Sequence, residues 1–389
     1  MKRLRVITAA LATLLISGFT LSLSAPAFAS PPSELASIQV GSIPVGAAIS
    51  PDESLVYVTN SSIPGTVSVI DMNSQALVTT ITVGDRAYGV TFTPDGTTAY
   101  VVNRDSNNVS VIDVATSSVI HTISVGSTPY GITSSLDGSK MYVANAVSDS
   151  VSVISTSTNT VIATIGSLPS QPVWITTNPV SGEIYVTSMG GYITKIVGTS
   201  VSGSSLNISD AYSSSVSPDG STIYVTKLTN PTEIAVVNAT TWALVPPTIN
   251  LGFYSFRTTF SPGGNVAFVA DSNGNQLSLL DVATGSFVSS GYPLALTGTD
   301  PNFVVVTSDC TKAVVVMANY PSMSFVNGFA NIISTGLPVC NLPAPAPDPS
   351  LAATGGSMSS YLIGSVVAGA MTLVGLGFGL LLLKRRTAL

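Results

Sequence analysis

The stretch TPDGTTAYVVN, residues 93–103, joins a Pro-Asp-Gly turn signal to a short run of strand-forming residues. Six further versions of this unit occur: SPDESLVYVTN (50–60), SLDGSKMYVAN (135–145), NPVSGEIYVTS (178–188), SPDGSTIYVTK (217–227), SPGGNVAFVAD (261–271) and TSDCTKAVVVMAN (307–319). Their anchor residues are spaced by 43, 42, 43, 39, 44 and 47 residues and are Tyr57, Tyr100, Tyr142, Tyr185, Tyr224, Phe268 and Val315. A four-stranded propeller blade takes about 40 to 50 residues. The repeats therefore predict an all-β fold, a seven-bladed β-propeller of four-stranded blades.

Each unit reads as four strands. In the second unit, YGVTFTP is the predicted innermost strand, TAYVVN the second, NVSVIDVAT the third and VIHTISVG the outermost. Blades four and five depart from the pattern, because NPVSG replaces the Pro-Asp-Gly turn and GYITKIVGTSVSGSSLNIS lacks a VSVID strand. Their strand limits stay open. A three-sided β-helix is the competing repeat fold, but its coils usually run shorter than about 40 residues.

The two ends of the propeller domain, residues 34–340, are predicted to meet. ELASIQVGSIP (34–44) matches HTISVGSTP (121–129) and so represents an outermost strand with no blade before it. We expect it to complete the blade that ends near Ser334. Of the only two cysteines, Cys310 falls in the first turn of this blade and Cys340 follows its last strand. In an extracellular protein they are expected to form a disulfide, since a metal or nucleophile role would need further ligands or a base.

The N-terminus has the three regions of a secretory signal peptide. Lys2, Arg3 and Arg5 precede an apolar run over residues 6–23, and the small-residue sequence Ala27-Phe28-Ala29 follows. This order predicts a signal peptide at 1–29 that is cleaved after Ala29.

The C-terminus has an uncharged run at residues 361–383 and a basic tail at 384–389. Roughly 23 residues at about 1.5 Å each would cross a bilayer core of about 30 Å. The basic tail predicts that this end stays inside the cell. Before the span, NLPAPAPDPS (341–350) has the composition of a stiff Pro-rich wall spacer.

Between the spacer and the span lies Leu351-Ala352-Ala353-Thr354-Gly355. With the span and the tail, this pentapeptide resembles the sorting signal of Gram-positive cell-wall proteins. Ala352 replaces the Pro of the LPxTG form and gives the LAxTG variant associated with actinobacterial housekeeping sortases. The resemblance implies that a sortase cuts between Thr354 and Gly355 and joins Thr354 to peptidoglycan. The span would then hold only the membrane-bound precursor; a permanent single-span anchor is the alternative.

The mature chain is predicted to be acidic. Six of the 13 basic residues lie in the signal peptide and the tail, and all 19 acidic residues lie between them, which leaves a net charge of −12. Such a surface repels nucleic acid and anionic headgroups. Only 8% of the chain is charged, so we expect solvent faces built from Ser, Thr and Asn.

The repeats resemble the YVTN-type β-propeller family of surface-layer and secreted proteins. Tyr57-Val58-Thr59-Asn60 matches the motif literally, and the units at Tyr100 and Tyr142 are close to it. The resemblance covers about residues 34–336. It implies an extracellular surface protein with varied partners, and the family also includes lactonases, so fold alone does not name the activity.

One position of the predicted innermost strands is rich in aromatic residues. Aligning the units places there Val45, Tyr88, Tyr130, Val173, Tyr212, Phe256 and Asn302. Trp174, Arg86 and Arg257 lie close by in sequence. Aromatic faces with a few charged groups suit a sugar ring or a peptide side chain. The binding hypothesis therefore names Tyr88, Tyr130, Trp174, Tyr212, Phe256, Arg86 and Arg257; the alternative is that the rings only plug the channel or pack between blades.

Other chemistry-bearing residues favour structural roles. His121 falls on a predicted outermost strand, and Asp71, Asp113 and Asp281 end third strands, where a carboxylate can cap the following turn. RDSNN and DSNGN lack the length and the Glu of an EF-hand loop. No catalytic residue, metal or cofactor is predicted.

The sequence thus favours a non-enzymatic, wall-anchored propeller that binds a protein or glycan ligand or displays itself as a scaffold. A lactonase-like or lyase-like propeller enzyme and a self-associating surface-layer component are the alternatives. The scarcity of His, Glu and Lys weighs against the enzyme, since Glu occurs only at positions 34, 53, 183 and 233.

The sorting signal gives a direct prediction. Digestion of purified cell walls should yield a wall-linked peptide that ends in Thr354, and Thr354→Ala should release the protein from the wall fraction. Mass spectrometry of the wall digest and fractionation of the variant measure the two effects. A variant that stays as firmly wall-bound as the parent would contradict sortase attachment.

Overall fold

The computed structural model describes residues 30–318 and 327–337. The predicted signal peptide (1–29), Cys340, the spacer (341–350), the sorting motif (351–355), the span (361–383) and the tail (384–389) lie outside the described residues. Within the described ranges, no helix has the length and apolar character needed to cross a membrane.

The chain begins with strand β1 (Ser33–Ser42), and three regular blades follow. Their strands are β2 (Pro44–Ile49), β3 (Leu55–Asn60), β4 (Thr66–Asp71), β5 (Ala76–Thr82), β6 (Ala87–Phe92), β7 (Thr98–Asn103), β8 (Asn108–Asp113), β9 (Ser118–Ser124), β10 (Pro129–Ser134), β11 (Lys140–Asn145), β12 (Ser150–Ser155) and β13 (Thr160–Ile165).

Blades four to seven contain the remaining described strands. These are β14 (Pro172–Thr177), β15 (Ile184–Ser188), β16 (Tyr192–Val197), β17 (Ser200–Val201), β18 (Leu206–Asn207), β19 (Ala211–Val216), β20 (Thr222–Lys227), β21 (Glu233–Asn238), β22 (Ala243–Asn250), β23 (Thr258–Phe260), β24 (Val266–Asp271), β25 (Gln276–Asp281), β26 (Ser286–Phe287), β27 (Leu294–Ala295), β28 (Pro301–Val306), β29 (Lys312–Met317) and β30 (Asn327–Ser334).

The predicted seven-bladed propeller is confirmed. Six of the seven antiparallel sheets run outward in chain order from an innermost strand, as in β6-β7-β8-β9. The outermost position of blade four is split between β17 and β18, which both pair with β16. Blade six has the same split, because β26 and β27 both pair with β25. The sequence left the first irregularity open and did not indicate the second.

Blade seven combines both ends of the domain. Its sheet order is β1-β30-β29-β28, so the N-terminal strand forms its outermost strand, as predicted. The pairing is antiparallel and includes Ile38 opposite Ala330. Cys310 lies in the turn between β28 and β29, fully buried and not a free thiol. Its pairing with Cys340 stays a prediction, since Cys340 is outside the described residues.

The core consists of the interfaces between neighbouring blades. The anchor residues of all seven second strands are at most 3% exposed. Tyr57 packs edge-on against Phe92 of the next blade, with ring centroids 4.8 Å apart. The Tyr100 hydroxyl donates to Oδ1 of Asn159 at 2.6 Å, again one blade further on. Each anchor thus buries a large apolar area and also fixes the position of the adjacent sheet.

Five of the turns between innermost and second strands, which have the Pro-Asp-Gly sequence or a variant of it, are stabilised by hydrogen bonds to the Asp side chain. Oδ1 of Asp137 accepts hydrogen bonds from the Ser135 hydroxyl at 2.5 Å and from the Ser139 amide at 3.0 Å. The Ser135 hydrogen bond is the main cause that lowers the pKa of Asp137 to about 2. The same pair of bonds recurs at Asp52, Asp95, Asp219 and Asp309. The turn signal that revealed the repeat is therefore a local hydrogen-bonding unit.

A glycine-asparagine contact joins consecutive blades, between the end of the outermost strand of one blade and the end of the second strand of the next. A Cβ added to Gly126 would lie 2.7 Å from Cγ of Asn145, and equivalent short distances separate Gly41 from Asn60 and Gly84 from Asn103. The asparagine is buried and its amide donates to serine hydroxyls of its own blade, as Asn145 does to Ser152 at 3.0 Å. Only glycine leaves room for this asparagine.

Gly126→Ala should therefore destabilise the protein, because the added methyl meets a buried side chain that is fixed by hydrogen bonds. Overpacking of this kind costs about 1 to 3 kcal/mol. Gly166, which directly follows β13 of the third blade, is the control, because no atom lies within 4 Å of an added Cβ there. Denaturant unfolding measures both variants. Equal unfolding midpoints would contradict the proposed packing.

Candidate functional site

The innermost strands of six blades begin with the same backbone distortion. A non-glycine residue with positive φ is followed two positions later by a residue at a β-bulge, as with Arg86 (φ 53°) and Tyr88, or Asp210 (φ 62°) and Tyr212. A bulge re-aims the side chain that it carries. The bulge positions are Val45, Tyr88, Tyr130, Val173, Tyr212 and Asn302, six of the seven aligned in the sequence.

Aromatic rings from the aligned positions contact one another at one mouth of the channel. The hydroxyls of Tyr88 and Tyr212, on blades two and five, are 3.2 Å apart. Tyr130 packs edge-on against Tyr88 at 4.8 Å between centroids, and Phe256 lies 6.1 Å from Tyr212. Burial raises the pKa of Tyr88 well above its usual value, and the neighbouring Tyr212 adds to this effect. The rings contact one another here, and both the binding hypothesis and the plugging alternative for them stay predictions.

Arg86 does not join the aromatic cluster. Its Nε lies 2.9 Å from Oδ2 of Asp105, and Nε of Arg104 lies 3.5 Å from the other carboxylate oxygen. The guanidinium of Arg104, which the sequence did not indicate, lies 5.3 Å from the centre of the Tyr130 ring. Arg86, Arg104 and Asp105 thus form a partly exposed ion-pair network at the rim of the channel.

Deeper in the channel, Arg257 lies between two aromatic rings. Its Cζ is 3.8 Å from the centre of the Trp174 ring and 4.4 Å from that of Phe303. The indole Nε1 of Trp174 donates to the Ser214 carbonyl oxygen at 2.8 Å and so fixes the ring. Trp174 and Arg257 were named from the sequence, whereas Phe303 was missed. Phe303 follows Asn302 as Trp174 follows Val173, so the alignment of the units could have identified Phe303 as a channel residue.

The Arg257 guanidinium is buried without a carboxylate. Arg257 is 8% exposed, and its Nε and Nη1 have no hydrogen-bond partner. Among the described residues, no Asp or Glu forms an ion pair with it. Burial lowers the pKa of Arg257, while the hydroxyls of Tyr212 and Tyr88 act in the opposite direction.

On the side away from the tyrosines, Arg257 and its two aromatic partners line a pocket of about 400 Å³. Turn prolines of blades four, five and six contribute to its lining. The lining residues are Trp174, Thr176, Thr177, Pro179, Ser213, Ser214, Ser215, Val216, Pro218, Arg257, Thr258, Thr259, Phe260, Ser261, Pro262, Phe303 and Val306. The lining includes aromatic rings, hydroxyls and one cation, and no carboxylate.

The residue after the aligned position, which is a bulge in every blade except blade six, explains why this pocket lies beside blades four to seven. Blades one to three have Gly46, Gly89 and Gly131 there, and a Cβ on Gly46 would lie 2.5 Å from the Tyr88 carbonyl oxygen. The innermost strands therefore approach closely on that side. Blades four, six and seven instead carry the bulky Trp174, Arg257 and Phe303.

The other candidate residues have local structural roles. His121 is exposed on β9. Asp71, Asp113 and Asp281 accept hydrogen bonds from turn amides, at 2.6 Å from Ser74 in the case of Asp71. The turn-capping prediction is thus confirmed. In the part of the chain that the structure describes, no three His, Cys, Asp or Glu residues are grouped as metal ligands.

Comparison with known proteins relates this chain to others through its fold alone. No family model matches the sequence, and no curated protein matches it. Among solved structures, a chain of Kuenenia stuttgartiensis hydrazine synthase superimposes with a TM-score of 0.66 and 19% sequence identity. The match covers 76% of this chain and 97% of that chain. At this identity the likeness supports the β-propeller architecture and carries no activity across.

The Arg257 environment gives a stability prediction. Desolvating an ion costs several kcal/mol, and two desolvated cation–π contacts return up to about 2 kcal/mol each, so the two effects nearly cancel. We expect Arg257→Met to leave the free energy of unfolding within about 1 kcal/mol of the parent, or to raise it. Denaturant unfolding measures the change.

Lys195→Met is the matched control. Nζ of Lys195 lies 5.0 Å from the Trp242 ring centre but also 3.2 Å from a Glu183 carboxylate oxygen. Removing this paired cation should lower the free energy of unfolding by about 1 kcal/mol. A much larger loss for Arg257→Met than for Lys195→Met would mean that Arg257 is a structural residue.

Proposed function

We propose that this protein is a wall-anchored surface β-propeller that binds a ligand in its central channel. The observation that carries the proposal is the pocket of about 400 Å³ beside Trp174, Arg257 and Phe303. Its volume falls in the usual range for small-molecule sites, about 300 to 1,000 Å³. Its rings, hydroxyls and guanidinium are groups that orient a bound ligand by stacking and hydrogen bonding.

The cell-surface location in this proposal comes from the sequence. A signal peptide at 1–29 and the LAxTG motif at 351–355, followed by a span and a basic tail, support secretion and transfer to peptidoglycan through Thr354 by a sortase. The resemblance of the repeats to the YVTN family supports the same location. The host would be a Gram-positive bacterium, by the same resemblance an actinobacterium.

A specific observation favours one other function, self-association in a surface layer. The outermost strands of blades one, two, three and five each expose two consecutive apolar residues: Leu77 and Val78, Val119 and Ile120, Val161 and Ile162, Leu244 and Val245. An outermost strand also has unpaired backbone groups along its free edge. Such edges can pair with a second copy of the chain.

The binding proposal is tested with the full-length protein in detergent, immobilised and screened against peptidoglycan, wall glycans and matrix proteins. Trp174→Ala should abolish a specific signal, because it removes the ring that forms the pocket wall. Trp242→Ala is the matched control: this second tryptophan stacks on Tyr185 at 5.6 Å, outside the lining of the pocket, and its loss should leave binding unchanged. Melting curves check that both variants fold.

Three further arms separate the alternatives. A signal lost in the Tyr88→Ala/Tyr212→Ala double variant but kept in Trp174→Ala would move the site to the tyrosine mouth. Concentration-dependent sedimentation without ligand would favour self-association, and a monomer at high concentration would count against it. Turnover in a panel of lactones and sugar-lyase substrates would favour the enzyme. A screen without any specific ligand would contradict the binding proposal.

A further inference from the structure

The charge balance around Arg257 is incomplete. The described part of the chain has seven basic residues, and Arg257 is the only one among them classed as buried. Nε and Nη1 of Arg257 lack hydrogen-bond partners. A buried group of this kind is costly unless something else completes its hydrogen bonds and its charge.

The pocket that Arg257 lines favours an anion. The chain has 19 acidic residues, and none of those within the described ranges lines this pocket. An anion in this pocket would therefore be attracted by one guanidinium and would not be repelled by a carboxylate of the lining. Planar guanidinium groups bind carboxylates in a charge-assisted, often bidentate, geometry.

The rest of the lining favours a sugar as the carrier of that anion. Eight of the seventeen lining residues are Ser or Thr, whose hydroxyls both donate and accept hydrogen bonds, as sugar hydroxyls do. The Ser215 hydroxyl is buried and has no hydrogen-bond partner. Trp174 and Phe260 add apolar ring surface of the kind on which a pyranose packs.

We propose that this pocket binds an acidic monosaccharide unit, a sugar ring with a carboxylate, and that Arg257 pairs with the carboxylate. Ser215 hydrogen-bonds to the ring hydroxyls. The inference rests on the proposed binding function and names the ligand class at the same site.

The test is calorimetric titration of the full-length protein in detergent with D-glucuronate and, as the neutral counterpart, D-glucose. We expect glucuronate to bind and glucose to bind at least about tenfold more weakly. Arg257→Met should weaken glucuronate binding about 10- to 100-fold, the range for one lost hydrogen bond to a charged group. Arg257→Lys should fall between, because it keeps the charge but loses the planar fork.

Two variants keep the result interpretable. Lys140→Met removes one positive charge from outside the pocket lining and should leave the affinity unchanged. Ser215→Ala removes a hydroxyl without a partner, so it should fold normally and still weaken glucuronate binding. A loss in Arg257→Met that Lys140→Met shares would reflect net charge and would overturn the assigned pairing.

The outcomes separate this inference from the proposed function. Equal binding of glucose and glucuronate, or full affinity in Arg257→Met, would overturn the acidic-sugar inference and leave a channel ligand of another class. Tighter binding of the peptide carboxylate N-acetyl-alanyl-alanine than of glucuronate would overturn it in favour of a peptide. No heat with glucuronate would also overturn it, whereas the proposed function fails only if the polymer screen finds no ligand.

Discussion

The closed ring depends on the antiparallel pairing of β1 with β30. Seven sheets around an axis leave a gap unless the last sheet is completed, and here the N-terminal strand completes it from the far end of the chain. The closure fixes β28 beside β2, where Nδ2 of Asn302 donates to the Pro44 carbonyl oxygen at 3.1 Å. Because Phe303 lies on β28, the same pairing also fixes one wall of the Arg257 site.

The channel is asymmetric because one position of the innermost strands holds glycine in some blades and a bulky side chain in others. Where the residue after the bulge is glycine, neighbouring innermost strands approach until a Cβ would overlap a carbonyl oxygen, as at Gly89 and the Tyr130 oxygen. Blades four, six and seven have Trp174, Arg257 and Phe303 at this place, and these side chains carry bulk into the channel instead. The aligned tyrosines thus meet at one mouth, and the bulky residues next to the aligned position line the pocket on the other side.

The features that recur in every repeat could be predicted from the sequence, whereas contacts between side chains of different blades could not. Blade count, strand order and the closing strand follow from a local unit that recurs with fixed anchors, so each copy reinforces the others. The alignment also brought Tyr88, Tyr130 and Tyr212 to one position. Arg86 was assigned to the channel because it neighbours Tyr88, but neighbouring residues in a distorted strand can point apart, and it pairs with Asp105. The Arg257 sandwich joins blades four, six and seven, and local patterns do not encode contacts across that distance.

The energetics of Arg257 differ from those of a paired cation. A cation held by ring faces and neutral hydroxyls, without a carboxylate, gains about as much as its desolvation costs, so folding alone gives little reason to prefer it to methionine. Lys195 shows the structural alternative in the same protein, with both a ring and a carboxylate. In the proposed site, the unmet donors of this buried guanidinium pair with a bound ligand, because the pocket lining has no acid. The surrounding propeller would hold Arg257 in place before the ligand arrives, which lowers the entropic cost of binding.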